Sequence, residues 1–129
     1  MVQLPEQQIS LYVHPALVEQ AIFNVLENAA NFSPPDEPVM IRTYLVSEDE
    51  VKIEIEDKGA GIPEDERHRI FDMFYTMERG DRGKFGTGLG LTIVKAIIGA
   101  HMGTIEAFSG RQNKGTLIQI KLPIHPVKE

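Results

Sequence analysis

The sequence predicts an α+β fold, a two-layer sandwich in which a mixed sheet of about five strands carries about three helices on one face. Three observations lead there. Apolar residues recur at helical spacing in two separated stretches, strand-like runs come in two pairs, and glycine-rich turns punctuate the chain between them.

Residues 8–13 read as a short strand, after which His14-Pro15 opens a helix with proline at the tolerated first position. From Pro15 to about Phe32, apolar side chains fall at Leu17, Val18, Ala21, Ile22, Val25, Leu26 and Ala29, the spacing of a helix packed on a core. It ends before Ser33-Pro34-Pro35, because a residue ahead of proline avoids helical geometry. Strands follow at 39–46 and 51–56; the second sets Val51, Ile53 and Ile55 against Lys52, Glu54 and Glu56. The polar link Ser47-Glu48-Asp49-Glu50 makes the pair an antiparallel hairpin. A glycine-punctuated turn at 57–63 leads to a polar stretch with helical character, 64–74. Residues 76–88 are poor in large aliphatics and rich in glycine, a loop signature. Helical periodicity returns from 89 to about 101 through Leu91, Val94, Ile97 and Ile98. Two last strands, 103–108 and 115–122, flank a polar turn containing Gly110 and Asn113.

Composition sets the class. The chain has 129 residues, 42% apolar and 25% charged, without cysteine or tryptophan, which suits one globular domain over 1–129. No disulfide framework is possible, and the longest apolar stretches, such as residues 96–100, fall far short of the roughly 18 residues of a membrane span. The first residues lack the basic and apolar blocks of a signal peptide. Thirteen basic against nineteen acidic residues, a net charge of −6, disfavour a diffuse nucleic-acid surface. An anionic ligand must therefore be held locally, by backbone amides, a metal ion or a few placed cations.

Four patterns suggest how. Gln20, Asn24, Asn28 and Asn31 lie at steps of four, four and three, one polar stripe beside the apolar helix face. Asparagine is a poor helix-interior residue, so the stripe is either a solvated face or a set of neutral, hard carboxamide ligands suited to Mg2+ on phosphates. Asp57-Lys58-Gly59-Ala60-Gly61 sets a carboxylate at a strand end before two glycines, which reads as a capped tight turn or as an acceptor for an amino group. Gly86-Thr87-Gly88-Leu89-Gly90-Leu91 runs into a helix, where freed N–H groups make a phosphate site. It is neither the dinucleotide fingerprint, whose third glycine is absent, nor a Walker loop, since Phe85 follows Gly83-Lys84. Phe71 and Phe74, three apart, alone suggest core packing. Arg79, Arg82 and Lys84 are ordinarily solvated, yet beside a phosphate site they can close on it. The four histidines, 14, 68, 101 and 125, show no metal-ligand spacing, and no serine sits in a nucleophile elbow.

In this order the patterns resemble the ATP-binding catalytic domain of bacterial sensor histidine kinases, the Bergerat fold shared with gyrase, Hsp90 and MutL ATPases, from about His14 to Pro123. Residues 24–29 resemble the family's N box, 57–61 its G1 box, 71–74 its F box and 86–91 its G2 box, and Gly115-Thr116 its closing glycine-threonine element. The wording around these boxes is most similar to the potassium-responsive KdpD-type kinases.

The resemblance implies that Asn28 coordinates Mg2+ bridging the ATP phosphates, with Asn24 assisting, and that Asp57 accepts the adenine amino group. Gly59 and Gly61 would leave room for the base, with Phe32 beside it; Gly86, Gly88 and Gly90 would admit the phosphates, and residues 64–87 would form an ATP lid. Asn31, Ile62, Phe74, Arg82, Lys84, Thr87, Leu89 and Thr116 complete the implied nucleotide site. Two departures stand out. Where relatives often carry Lys or Arg, three residues past the metal ligand, this chain has Asn31, so Arg82 or Lys84 must compensate or affinity falls. Hydrolytic relatives place a glutamate general base where Asn24 stands, which favours phosphotransfer to a histidine over attack by water. Glu27 is no simple substitute, being rotated about 60° from Asn24.

Neither His14, followed by proline, nor His68 fits the acceptor of such kinases. The implied partners are the protein's own phosphoacceptor and dimerisation domain, outside this chain, and a response regulator. The resemblance further implies a monomeric isolated domain, inactive in autophosphorylation, touching neither nucleic acid nor membrane, in the cytoplasmic part of a membrane-anchored sensor. A nucleotide-binding pseudokinase module and an anti-sigma serine kinase of the same fold are the alternatives.

Overall fold

The computed structural model describes residues 2–3, 13–34, 36–62, 64–72, 90–110 and 114–124. Strand β1 (Val2–Gln3) is followed by helix α1 (Pro15–Phe32), strands β2 (Met40–Ser47) and β3 (Glu50–Glu56), two 3-10 turns (Glu64–Glu66 and Arg69–Phe71), helix α2 (Gly90–Ala100), and strands β4 (Thr104–Ser109) and β5 (Thr116–Pro123).

The strands form one sheet in the order β1-β2-β3-β5-β4. Only β1 runs parallel to its neighbour, through Val2 opposite Ile41 and Gln3 opposite Arg42; the other pairings are antiparallel. The sheet is therefore mixed, as expected. The strand expected at 8–13 falls mostly outside the described residues, Val13 lies in no strand, and the two-residue β1 has no pattern that sequence could reveal. The polar stretch 64–74 is not a continuous helix where it is described, but two single 3-10 turns. Among the described residues the α-helices accordingly number two.

The period-two pattern of β3 sends Val51 and Ile55 into the core, where they meet Ile105, Ile118, Ile120 and Leu122 of β4 and β5. Ala21, Val25 and Ala29 of α1 and Val94, Ile97 and Ile98 of α2 close that core from one side. Small Ala21 and Ala29 let the helices approach closely, and both are almost wholly buried. At about 25 cal/mol per Å2, each buried Ile or Val contributes about 1.5–3 kcal/mol.

Helix α1 starts at Pro15 without a side-chain cap and ends at Ser33, whose N–H donates to the Ala29 carbonyl. Its first turn is tied to α2: the His14 N–H donates to His101 Nε2 at 3.0 Å, while His101 Nδ1 sits 2.8 Å from the Ile97 carbonyl. A carbonyl only accepts, so Nδ1 carries the proton and Nε2 is the acceptor. His14, exposed at the N-cap of α1, and half-buried His101 thus link the two helices. Helix α2 closes in a Schellman turn, Gly103 N–H to Ile98 O and Met102 N–H to Gly99 O, with Met102 at φ 63 in the left-handed position that glycine usually takes. Gly103 next to it cannot be replaced, since a Cβ there would stand 2.4 Å from the Lys121 carbonyl oxygen.

Candidate functional site

The site is built around the end of β3. Asp57, the next residue, is 5% exposed. Its Oδ1 accepts the Gly59 N–H at 2.8 Å and the Thr116 N–H at 3.2 Å, and its own N–H donates to the Thr116 carbonyl at 2.9 Å. The first bond is an Asx turn, the backbone bond extends the β3–β5 ladder by one residue, and the carboxylate takes the Thr116 N–H. The capped-turn reading therefore holds, and the two amides fix the direction of the carboxylate.

Two glycines make this geometry possible. Gly115 has φ +71, and a Cβ on it would stand 1.9 Å from the Asp57 carbonyl oxygen. Gly61 has φ +85 and faces the Gly115 carbonyl oxygen, which a Cβ would approach to 3.1 Å. Both backbones are in the left-handed region and pack directly on one another, which any side chain would prevent. Gly115, which sequence alone marked only by its place before the last strand, thus packs against the Asp57 backbone.

Helix α1 reaches this turn through its cap. Ser33 is buried, and its Oγ accepts the Lys58 N–H at 3.4 Å. Marked in sequence as the helix boundary before the prolines and not as a nucleophile, Ser33 also ties the helix end to the Asp57 turn. Asn24, Asn28 and Asn31 are half-buried, and Gln20 is exposed. At the far end of the stripe Asn24 Nδ2 faces the carbonyl of Gly90, the first residue of α2, at 3.5 Å. Nine residues separate Asn24 from Ser33, which is about 13 Å along a helix. Helix α1 therefore meets the start of α2 at Asn24 and the Asp57 turn at Ser33.

Thr92, in the first turn of α2, donates its hydroxyl to the Phe71 carbonyl at 2.9 Å. Phe71 and Ile70 are buried against α2, and Lys95 Nζ lies 5.9 Å from the Phe71 ring centroid. Core packing thus accounts for Phe71, and Thr92 is an anchor that no sequence motif revealed. Ile62 is half-buried and packs against the core edge. Phe74, Arg82, Lys84, Gly86, Thr87, Gly88 and Leu89 lie outside the described residues, as does the side chain of Phe32. Of the segment 64–87 expected to form a lid, only residues up to 72 are described.

On the opposite face of the sheet, behind Asp57, is a buried ionic cluster. Arg42 is 3% exposed; its Nη2 donates to Glu56 Oε1 at 2.6 Å and its Nε to Glu54 Oε1 at 3.2 Å. Gln119 Nε2 donates to Glu54 Oε2 at 3.3 Å, and Lys52 Nζ stands 3.8 Å from the same oxygen. Burial lowers the tendency of the Arg42 guanidinium to stay charged, but its hydrogen bonds to Glu56 and Glu54 outweigh that and hold the pKa above its ordinary value. Nη1 is buried and has no hydrogen-bond partner among the described residues. Among the described residues no group of three or more histidine, cysteine or carboxylate side chains could hold a metal ion.

Residues 13–126 match the family of histidine kinase-, DNA gyrase B-, and HSP90-like ATPases, and the chain belongs to that family. Within it the relatives are sensor histidine kinases. The chain is 39% identical over 123 residues, 95% of its length, to the sensor protein KdpD of Clostridium acetobutylicum, of which that alignment covers 13%. Among solved structures, the mycobacterial sensor histidine kinase MprB aligns with a TM-score of 0.79 and 31% identity, over 98% of this chain and 84% of that one. The catalytic domain of histidine kinase ThkA aligns with a TM-score of 0.82 and 25% identity, over 97% and 79%. The chain spans from 11% to 31% of the length of the curated relatives it matches. It is an ATP-binding domain of the histidine-kinase type. No helix among the described residues is long and apolar enough to cross a membrane.

Proposed function

We propose that this domain binds Mg-ATP and donates the γ-phosphate to a histidine on a dimerisation and phosphoacceptor domain outside this chain, from which a response regulator would take it. The observation that carries the reading is the Asp57 carboxylate, buried and oriented by two backbone amides at one end of the asparagine stripe. A carboxylate so held accepts an amino hydrogen, which adenine offers and guanine replaces with a carbonyl.

Asn28 would hold Mg2+ through its carboxamide oxygen, with Asn24 beside it; a half-buried neutral oxygen donor fits a cation whose charge the phosphates already balance. When bound, Mg2+ supplies charge neutralisation on the phosphates. Gly59, Gly61, Ile62, Phe32, Phe74 and Thr116 would line the base, and Asn31, Thr87, Leu89 and the glycines Gly86, Gly88 and Gly90 the phosphates. Arg82 or Lys84, in the lid at 64–87, would add the cation that Asn31 lacks. Asn24 offers no carboxylate to activate water, and a histidine nucleophile needs little activation, so transfer to protein is favoured over hydrolysis. The domain would sit in the cytoplasmic part of its sensor and be inactive in autophosphorylation alone.

Titration calorimetry with a non-hydrolysable ATP analogue, with and without Mg2+, tests this. Saturable, Mg2+-dependent binding is expected. Heat indistinguishable from dilution at millimolar nucleotide would overturn it and favour an interaction module, the reading that a neutral Asn31 supports.

A further inference from the structure

The buried cluster on the outer face of the sheet has no part in the nucleotide chemistry above, yet it adjoins it through the backbone. Arg42 stands directly opposite Glu54 across β2 and β3, and Glu54 opposite Gln119 of β5, so three central strands share one row. Glu56 is one residue before Asp57, and alternation along the strand puts the two carboxylates on opposite faces. Glu56 also abuts the β4–β5 turn: a Cβ on Gly110 would stand 3.1 Å from Glu56 Oε2. Gly110 N–H donates to Gly115 O at 3.1 Å, and Gly115 and Thr116 lie against Asp57. Gly110 beside Glu56 is thus bonded to Gly115 beside Asp57.

Stability alone is a poor reason for such a cluster. Buried ion pairs are often no more stabilising than apolar side chains of the same size. What a charged, hydrogen-bonded cluster does supply is a fixed geometry.

We propose that Arg42 is a positioning residue for nucleobase recognition, holding Glu56 and through it the end of β3 and the bonded pair Gly110 and Gly115, so that the Asp57 carboxylate keeps the direction that reads adenine. The proposal rests on the nucleotide-binding reading above. Arg42 does not touch the nucleotide; it sets how sharply Asp57 discriminates.

The test compares Arg42→Met combined with Glu56→Gln, which removes the charges together, against Glu54→Gln, which weakens the same cluster one position further from Asp57, and Arg42→Lys. Three quantities are measured: the thermal midpoint, the affinities for ATP and GTP analogues, and the Gly59 and Thr116 amide resonances without nucleotide. The double variant is expected to lose about tenfold in the ATP-over-GTP affinity ratio, the worth of one charge-assisted bond, and to shift both amides. Glu54→Gln is expected to lower the midpoint while leaving ratio and amides in place, and Arg42→Lys to keep most of the ratio. A folded double variant with the wild-type ratio and unmoved amides overturns the proposal, as does an equal loss of ratio in Glu54→Gln. If the double variant does not fold, Glu56→Gln alone, with Arg42 still bonded to Glu54, is read against the same outcomes. Wild-type protein that binds no nucleotide would sink the Mg-ATP reading, while the amide shifts would still decide whether Arg42 controls Asp57.

Discussion

The backbone of Gly115 lies so close to Asp57 that a Cβ would stand 1.9 Å from the Asp57 carbonyl oxygen. A methyl group there forces β5 away from β3 at the point where Thr116 meets the carboxylate. Gly115→Ala is expected to cost at least about 2 kcal/mol, since a left-handed backbone and a collision act together. Gly61→Ala, with a 3.1 Å contact, should cost less. Denaturant unfolding of both variants checks the order, and equal midpoints would refute it.

Asp57→Asn keeps the shape of the turn and one acceptor oxygen, but it removes the charge. Adenine affinity is expected to fall about tenfold or more, the range for a hydrogen bond to a charged group, with selectivity over guanine reduced. Calorimetry with ATP and GTP analogues measures both. Unchanged ATP binding would remove Asp57 from the base site.

Asn28→Ala should leave nucleotide binding that no longer responds to Mg2+, with affinities in the presence and absence of the ion agreeing within about twofold. A dependence as steep as that of the unaltered domain would move the metal site elsewhere.

His101 is expected to carry a proton on Nδ1 and to accept at Nε2, as the Ile97 carbonyl and the His14 N–H require. Long-range nitrogen–proton correlation spectra distinguish the two ring nitrogens. A proton on Nε2 would show that the His14 amide bonds elsewhere.

Met102 carries the left-handed residue of the α2 terminator at φ 63 and is largely exposed. Met102→Gly relieves that conformation and loses no core contact, so the domain should gain about 0.5–1 kcal/mol, net of the entropy that glycine loses on folding. Thermal unfolding decides the sign.

Legibility in the sequence followed the range of the interactions. Helix α1 and the hairpin β2–β3 were readable because local periodicity fixes both element and buried face, and the proline after Ser33 marks a boundary. Strand β1 was not, because two residues have no period; they are strand only because β2 lies beside them. Asp57 could be singled out from its turn. Its partners Thr116 and Gly115 lie almost sixty residues away, and no local signal joins them to it. Lys52, Glu54 and Glu56 showed the polar side of an alternating strand, but alternation does not say that the polar side is covered. Arg42 was invisible for the same reason, and Ser33 and Thr92 act through single hydroxyls that no motif marks.

Strand β5 is the last described element in chain order, yet it lies inside the sheet, between β3 and β4. Until it is made, the β2–β3 hairpin has no partner on its inner edge and β4 has none at all. Folding of the sheet therefore waits for a long-range pairing, which high contact order makes slow. The Asp57 turn shares that schedule, because Thr116 belongs to β5. A chain cut before residue 116 would lack the centre of its sheet as well as the amide that holds Asp57, so folding and ligand recognition would be lost at a single point of truncation.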